Sequence, residues 1–137
     1  MVGAGPAGSM AAYHAARLGL RTLLLEEHKE AGSPPHCAGK LTVRAFQEFN
    51  LPTQCVLNSV RGAFLHSPGG LELQISKSTP DSYIVDRVEL DRLLVERAQN
   101  VGVEVKFKAK VRRVDFLQPS GVALRGEGFR ACLLYTS

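Results

Sequence analysis

Gly3, Gly5 and Gly8, in Val2-Gly3-Ala4-Gly5-Pro6-Ala7-Gly8, form a G-x-G-x-x-G turn at the start of the chain. That spacing serves a tight turn, the approach of bare backbone to a pyrophosphate, and close packing of a helix on a strand. The residues that follow agree with it. Pro6 to about Leu18 is rich in Ala, with Pro in the first turn and Gly19 past the end, which predicts a helix. Its N-terminus would offer unpaired N–H groups and positive dipole to a phosphate. Thr22 to Leu25 predicts a short buried strand that stops at Glu26-Glu27. Glu26 stands 18 residues after Gly8, where a carboxylate can accept both hydroxyls of an adenosine ribose and repel a 2′-phosphate. Turn, helix, strand and acid in register point to a bound dinucleotide. A buried strand should precede the glycines in such a unit, yet only Met1 and Val2 do. The expectation is a chain that lacks several N-terminal residues.

Further along, Ala31 to Lys40 reads as a Gly/Pro-rich loop and Thr42 to Phe49 as a modest helix stopped by Asn50 and Pro52. Gly62 to Ser67 and Leu71 to Ser76 flank Pro68-Gly69-Gly70, a hairpin signal. Asp86 to Gly102 predicts a helix, with Asp86 as cap, Glu89 completing a capping box and Gly102 as a left-handed stop. Val88, Leu93, Leu94, Ala98 and Val101 would form its buried stripe. Val103 to Val114 and Gly121 to Leu124 then predict strands. The order indicates a mixed α/β chain with a Rossmann-type start and an inserted β segment.

Composition excludes several other classes. With 45% hydrophobic and 22% charged residues the chain is ordinary globular material, not a disordered or fibrous one. No run approaches the roughly 18 apolar residues of a membrane span, and a reducing, cytoplasmic setting is expected. The net charge is +4, but in the one dense basic run, Lys106, Lys108, Lys110, Arg112 and Arg113, the first four members alternate with Val105, Phe107, Ala109 and Val111. Alternation of that kind describes a half-buried strand rather than a nucleic-acid surface. Cys37, Cys55 and Cys132 are too scattered for a disulfide scaffold, and no His/Cys spacing suggests a metal.

GAGPAG followed by LLLEE resembles the FAD-binding opening of glutathione-reductase-type flavoproteins, in the branch containing p-hydroxybenzoate hydroxylase. Pro34-Pro35-His36-Cys37-Ala38-Gly39 is similar to the P-x-x-C-x-G loop of the geranylgeranyl reductase family. Tyr83-Ile84-Val85-Asp86-Arg87 with Leu90-Asp91-Arg92-Leu93-Leu94 is similar to that family's V-D-R-x-x-(L/F)-D-R-x-L block. The resemblance runs from residue 2 to about residue 131. It implies a glutathione-reductase-like FAD-binding domain, incomplete at both ends, over 1–131, with residues of about 55–85 belonging to an inserted, substrate-side β segment. It implies reduction of isolated double bonds in isoprenoid chains of lipids, chlorophyll precursors or quinones, and leaves the electron donor, NAD(P)H or ferredoxin, open.

Residue by residue, the resemblance implies that Gly3, Gly5, Pro6, Ala7 and Gly8 line the pyrophosphate and that Glu26 holds the ribose. Cys37, Ala38, Gly39 and Lys40 would form the loop beside the flavin, with Lys40 departing from a glycine common in relatives. Arg87 would reach the phosphates or ribitol, and Val111 would meet adenine through its backbone. Cys37 is the one catalytic candidate, and no metal is expected. An isoprenoid or lipid substrate, peripheral membrane association through that substrate and no nucleic-acid partner complete the expectation.

Plainer alternatives stand beside these roles. Arg87 also suits a first-turn surface position, Val111 a strand core, and Cys37 a packed loop. Cys55 reads as structural; His36 has no carboxylate or metal partner in local sequence, and His14 and His66 read as ordinary surface or partly packed residues. On the same fold an aromatic-ring monooxygenase or halogenase, or a quinone oxidoreductase, is an alternative, as is a nucleotide-binding module without catalysis. Cys132-Leu133-Leu134-Tyr135-Thr136-Ser137 resembles a translated sequencing adapter, so 132–137 is expected to be a non-native tail, although the same residues suit a strand. The chain alone is expected to lack reductase activity.

Overall fold

The computed structural model describes residues 1–35, 37–118 and 121–133. In chain order its elements are α1 (Pro6–Arg17), β1 (Leu23–Leu25), β2 (Lys40–Thr42), α2 (Val43–Glu48), a 3-10 turn (Thr53–Cys55), β3 (Val56–Val60), β4 (Gly62–His66), β5 (Glu72–Ser76), β6 (Ser82–Val85), α3 (Arg87–Gln99), β7 (Glu104–Lys106), β8 (Val111–Phe116), β9 (Val122–Gly126) and β10 (Phe129–Leu133). The chain divides into two compact units, Met1–Ser33 with Asp91–Ser137, and Pro34–Leu90.

In the first unit β1 pairs in parallel with β7, Leu24 standing opposite Val105. Val2 forms a parallel bridge to Leu25. The Gly3 N–H donates to the Leu25 carbonyl at 2.7 Å, and the Leu25 N–H donates to the Met1 carbonyl at 3.0 Å. The two residues ahead of the glycines thus take the strand position that the βαβ pattern calls for. Ala12 of α1 buries with Leu24, Ala4, Ala31, Val95, Ala98 and Val103. Small side chains on α1 let the helix lie close on the strand. Its other buried residue, Ser9, donates its hydroxyl to the Ala4 carbonyl at 3.1 Å, so no polar group is stranded. The helix closes at Gly19, whose φ of +84° allows the Leu20 N–H to reach back to the Ala15 carbonyl.

The basic alternating segment makes two strands instead of the one expected. β7 belongs to the parallel pair, whereas β8 joins β9 and β10 in an antiparallel sheet. Between them Lys108 adopts φ +55°. Its N–H donates to the His28 carbonyl at 2.9 Å, and the Ala109 N–H donates to the Glu26 carbonyl at 2.8 Å. Local partners on the turn after β1 therefore outcompete a continuous ladder. The in-out alternation survives the break, with Val105, Phe107, Ala109 and Val111 covered and the lysines between them exposed. Leu25, Ala109 and Leu124 bury together beneath this sheet. In β10, Cys132 and Leu133 pair with Ala123 and Val122; residues 134–137 of the expected tail lie outside the described residues.

In the second unit β2, β6 and β3 form an antiparallel sheet with β6 central. β3 and β6 fall within the stretch of about 55–85 expected to be β, although neither was singled out as a strand, and Lys40 begins β2 opposite Ile84 rather than ending a loop. Thr42 caps α2 by accepting the Ala45 N–H at 3.2 Å, and Phe46 sets edge-on against Tyr83 at 5.0 Å. The expected hairpin is β4–β5, with Leu65 opposite Leu73 and His66 paired to Glu72 at 3.2 Å. Asp86 caps α3 through the Glu89 N–H at 3.0 Å, and its own N–H donates to the Cys55 carbonyl. The buried stripe of α3 is Leu90, Asp91, Leu94, Val95 and Ala98; Val88, Leu93 and Val101 are only half-buried. Of the expected stripe, Leu94 and Ala98 are buried; Leu90, Asp91 and Val95, which it left out, complete the covered face. Gly102 takes the left-handed stop at φ +92°.

Candidate cofactor-binding site

The glycine turn is shaped by two of its three glycines and left open by the third. Gly3 has φ +91°, which an L side chain rarely adopts. A Cβ on Gly8 would stand 2.0 Å from the Gly3 carbonyl oxygen, so a side chain there has no room. Gly5 has φ −73° and ψ −179°, ordinary extended backbone, and a Cβ on it would meet nothing within 4 Å. Gly5 is also the N-cap of α1, with no side-chain cap and no acidic residue in the first turn. A helix end left this way presents N–H groups and positive dipole to an anion. Pro6 at the first helical position gives up only an N–H the helix would not have used. Ala7 is exposed beside it.

Glu26 is 8% exposed and held from three directions. Oε2 accepts the Ala4 N–H at 2.7 Å; Oε1 accepts the His28 N–H at 2.9 Å and faces His28 Nδ1 at 2.7 Å. Its backbone is pinned as well, the N–H donating to the Lys106 carbonyl at 2.9 Å. Burial by itself would push this carboxyl up, but the N–H groups of His28 and Ala4 and the His28 ring outweigh it and hold Glu26 below the ordinary carboxylate range. The acid is thus kept ionised beside the glycine turn. The Ala4 N–H is the link: it lies between Gly3 and Gly5 and ties the turn to the end of β1. Val111 opens β8 and packs against the cluster of Leu25, Ala109 and Leu124, which accounts for its core character. His28 was not among the expected site residues; its place two residues after Glu26 was the available signal.

In the second unit, Gly39 is buried at φ +73°, and a Cβ there would stand 2.3 Å from the Val85 carbonyl oxygen and 3.4 Å from Arg87 Cγ. The Val85 N–H donates to the Gly39 carbonyl at 2.9 Å. This crossing brings the end of the 34–39 loop against the first residue of α3, so Gly39 and Arg87 meet. Cys37 and Ala38 are exposed in that loop, and Lys40 is exposed in β2. His36 lies outside the described residues. Cys55 is buried, with Sγ on the Pro52 carbonyl at 3.1 Å, and burial pushes its thiol up; it is an inert packing residue. Among the described residues no group of three His, Cys, Asp or Glu side chains could hold a metal ion, and no helix is long and apolar enough to cross a membrane.

The residues present fit a dinucleotide. Gly5 leaves open space where a side chain would stand, α1 starts without a side-chain cap, and a charged, fixed carboxylate ends the following strand. Comparison with known proteins agrees. Residues 1–127 match a family described as FAD binding domain. The chain is 37% identical over 110 residues to a digeranylgeranylglycerophospholipid reductase of Methanocaldococcus jannaschii, an alignment covering 79% of this chain and 28% of that protein. Among solved structures, a geranylgeranyl bacteriochlorophyll reductase-like protein from Thermoplasma acidophilum superposes with a TM-score of 0.84 at 27% identity, covering 97% of this chain and 36% of that one. A myxobacterial chondrochloren halogenase superposes at 0.68 with 24% identity over 97% of this chain and 34% of its own, a likeness of fold. The chain therefore spans about three tenths of the length of the curated relatives it matches.

Proposed function

The chain belongs to the FAD binding domain family, and on that premise we propose that it is the cofactor-binding part of an oxidoreductase that reduces isolated double bonds in geranylgeranyl-type isoprenoid chains. FAD is the cofactor. The observation that carries the substrate class is the 37% identity over 110 residues to a digeranylgeranylglycerophospholipid reductase, an alignment that covers four fifths of this chain. The halogenase alternative has only a shared fold behind it.

In this proposal Gly3 and Gly8 shape the turn, Gly5 leaves the space a pyrophosphate would enter, and the start of α1 at Pro6 and Ala7 supplies N–H groups and dipole. Glu26, charged and fixed, accepts ribose hydroxyls. Cys37, Ala38, Gly39 and Lys40 would serve as the flavin loop, Arg87 as a cation for phosphate or ribitol oxygens, and Val111 as a backbone contact for adenine. FAD, when bound and reduced, supplies the hydride for the alkene, and the protein supplies orientation and shielding from water. An isoprenoid lipid is the substrate, met at a membrane surface.

The test uses the full-length protein that carries this segment, loaded with FAD and a chemical reductant, and a geranylgeranyl lipid read by mass spectrometry. Gain of a hydrogen pair per double bond, lost in Glu26→Gln together with FAD affinity, is the expected result. A protein that holds FAD and leaves the lipid unsaturated, yet hydroxylates or halogenates an aromatic substrate, would overturn the substrate class while leaving the cofactor site intact.

A further inference from the structure

The two oxygens of Glu26 are unequally used. Oε2 accepts one donor, the Ala4 N–H at 2.7 Å. Oε1 takes two, the His28 N–H at 2.9 Å and the His28 ring Nδ1 at 2.7 Å. A carboxylate oxygen accepts about two hydrogen bonds, so Oε2 has one position left and Oε1 has none. The ribose edge of a nucleotide presents two hydroxyls. We propose that the His28 ring is a specificity-determining competitor in this site: it fills the position on Oε1 that a second ribose hydroxyl needs, so a ribonucleotide gains its second bond only by displacing the ring. This deepens the cofactor reading above and rests on Glu26 being the ribose acceptor.

Of the three donors, the ring is the one that can leave. Both amides are fixed by the backbone, and each carboxylate oxygen keeps one of them when the ring departs, so the carboxylate's orientation does not depend on His28. The ring is 43% exposed, so water can take over its hydrogen bond at little net cost. The charged groups around it are Glu26 itself, Glu27, which pairs with Lys110, Lys108, whose N–H bonds the His28 carbonyl, and Lys106, whose carbonyl takes the Glu26 N–H. Glu26 is held below the ordinary carboxylate range and stays ionised near neutrality, so both oxygens act as acceptors when the ring leaves.

Calorimetric titration of the chain at neutral pH with ADP and with 2′,3′-dideoxy-ADP tests the proposal. The ratio of the two affinities isolates the ribose hydroxyls from the phosphates. His28→Ala should bind ADP about fivefold more tightly than wild type, the net worth of one hydrogen bond, and should gain nothing for the dideoxy analogue. ADP affinity that is unchanged or weaker in His28→Ala, or an equal gain for the dideoxy analogue, would overturn it. Glu26→Gln separates the two levels. If that variant binds ADP as the wild type does, or if the wild type binds no ADP, the ribose site itself falls and the proposal with it. If Glu26→Gln weakens ADP while His28→Ala changes nothing, only the role of His28 falls.

Discussion

The Ala4 N–H donates to Glu26 Oε2 at 2.7 Å across 22 residues of chain, buried at both ends. One hydrogen bond thereby joins the glycine turn to the acid at the end of β1. The same contact makes the site sensitive to acid, to loss of the charge and to any side chain that shifts the turn.

Glu26 should contribute stability that fades in acid. Its folded-state pKa lies below the unfolded value, because the His28 and Ala4 amides and the His28 ring outweigh burial. In that range the unfolded chain binds more protons, so stability rises with pH. The contribution is complete above the unfolded carboxyl value and disappears as pH falls through the folded one. Thermal midpoints from neutral pH downward should show this limb. Glu26→Gln should flatten part of it, the rest belonging to Glu27 and Asp81, which are also held low by Lys110 and Lys77. At neutral pH the same variant should lose about 1–3 kcal/mol, since buried donors lose a charged acceptor.

Gly8→Ala and Gly5→Ala should separate folding from binding. At Gly8 the new Cβ would stand 2.0 Å from the Gly3 carbonyl oxygen, so backbone must move; a loss of about 1–3 kcal/mol is expected. At Gly5 a Cβ meets nothing within 4 Å, and the cost is at most about 1 kcal/mol, that of a poorer N-cap. FAD affinity, followed by flavin fluorescence, should nevertheless fall in Gly5→Ala by at least tenfold, or about 1.4 kcal/mol. An unaffected affinity would remove Gly5 from the cofactor contact.

Gly39→Ala should destabilise the second unit through its own geometry. It combines φ +73° with a Cβ 2.3 Å from the Val85 carbonyl, and about 2 kcal/mol or more is expected. Gly69→Ala is the control: its Cβ would meet only Ser67 Oγ at 3.9 Å, and urea midpoints should stay within about 0.5 kcal/mol of wild type.

Thr42→Ala should cost about 1 kcal/mol, because the hydroxyl that caps α2 accepts the Ala45 N–H at 3.2 Å. The helix has only six residues, so amide exchange across Val43–Glu48 should accelerate beyond the global loss.

Local pattern already specified much of this molecule. Helix α1 stops where Gly19 predicts, α3 starts directly after its cap Asp86 and ends before Gly102, the β4–β5 hairpin closes over Pro68-Gly69-Gly70, and Glu26 directly follows the first strand beside the glycine turn. Each of these depends on residues within one turn or one strand of each other, where backbone sterics and capping act directly. What the pattern missed depends on partners distant in sequence. The break at Lys108 exists because amides 108 and 109 find the carbonyls of His28 and Glu26. Strand β6 is central only because β2 and β3 come to its two edges. The demand for glycine at position 39 comes from Val85, and the occupancy of Oε1 comes from how the turn after β1 folds His28 back. Such contacts form only after the loops close, and their energy is read from three-dimensional neighbours rather than from spacing. The acid's identity was therefore written in the chain, while its charge state, its orientation and its competitor were decided by tertiary structure.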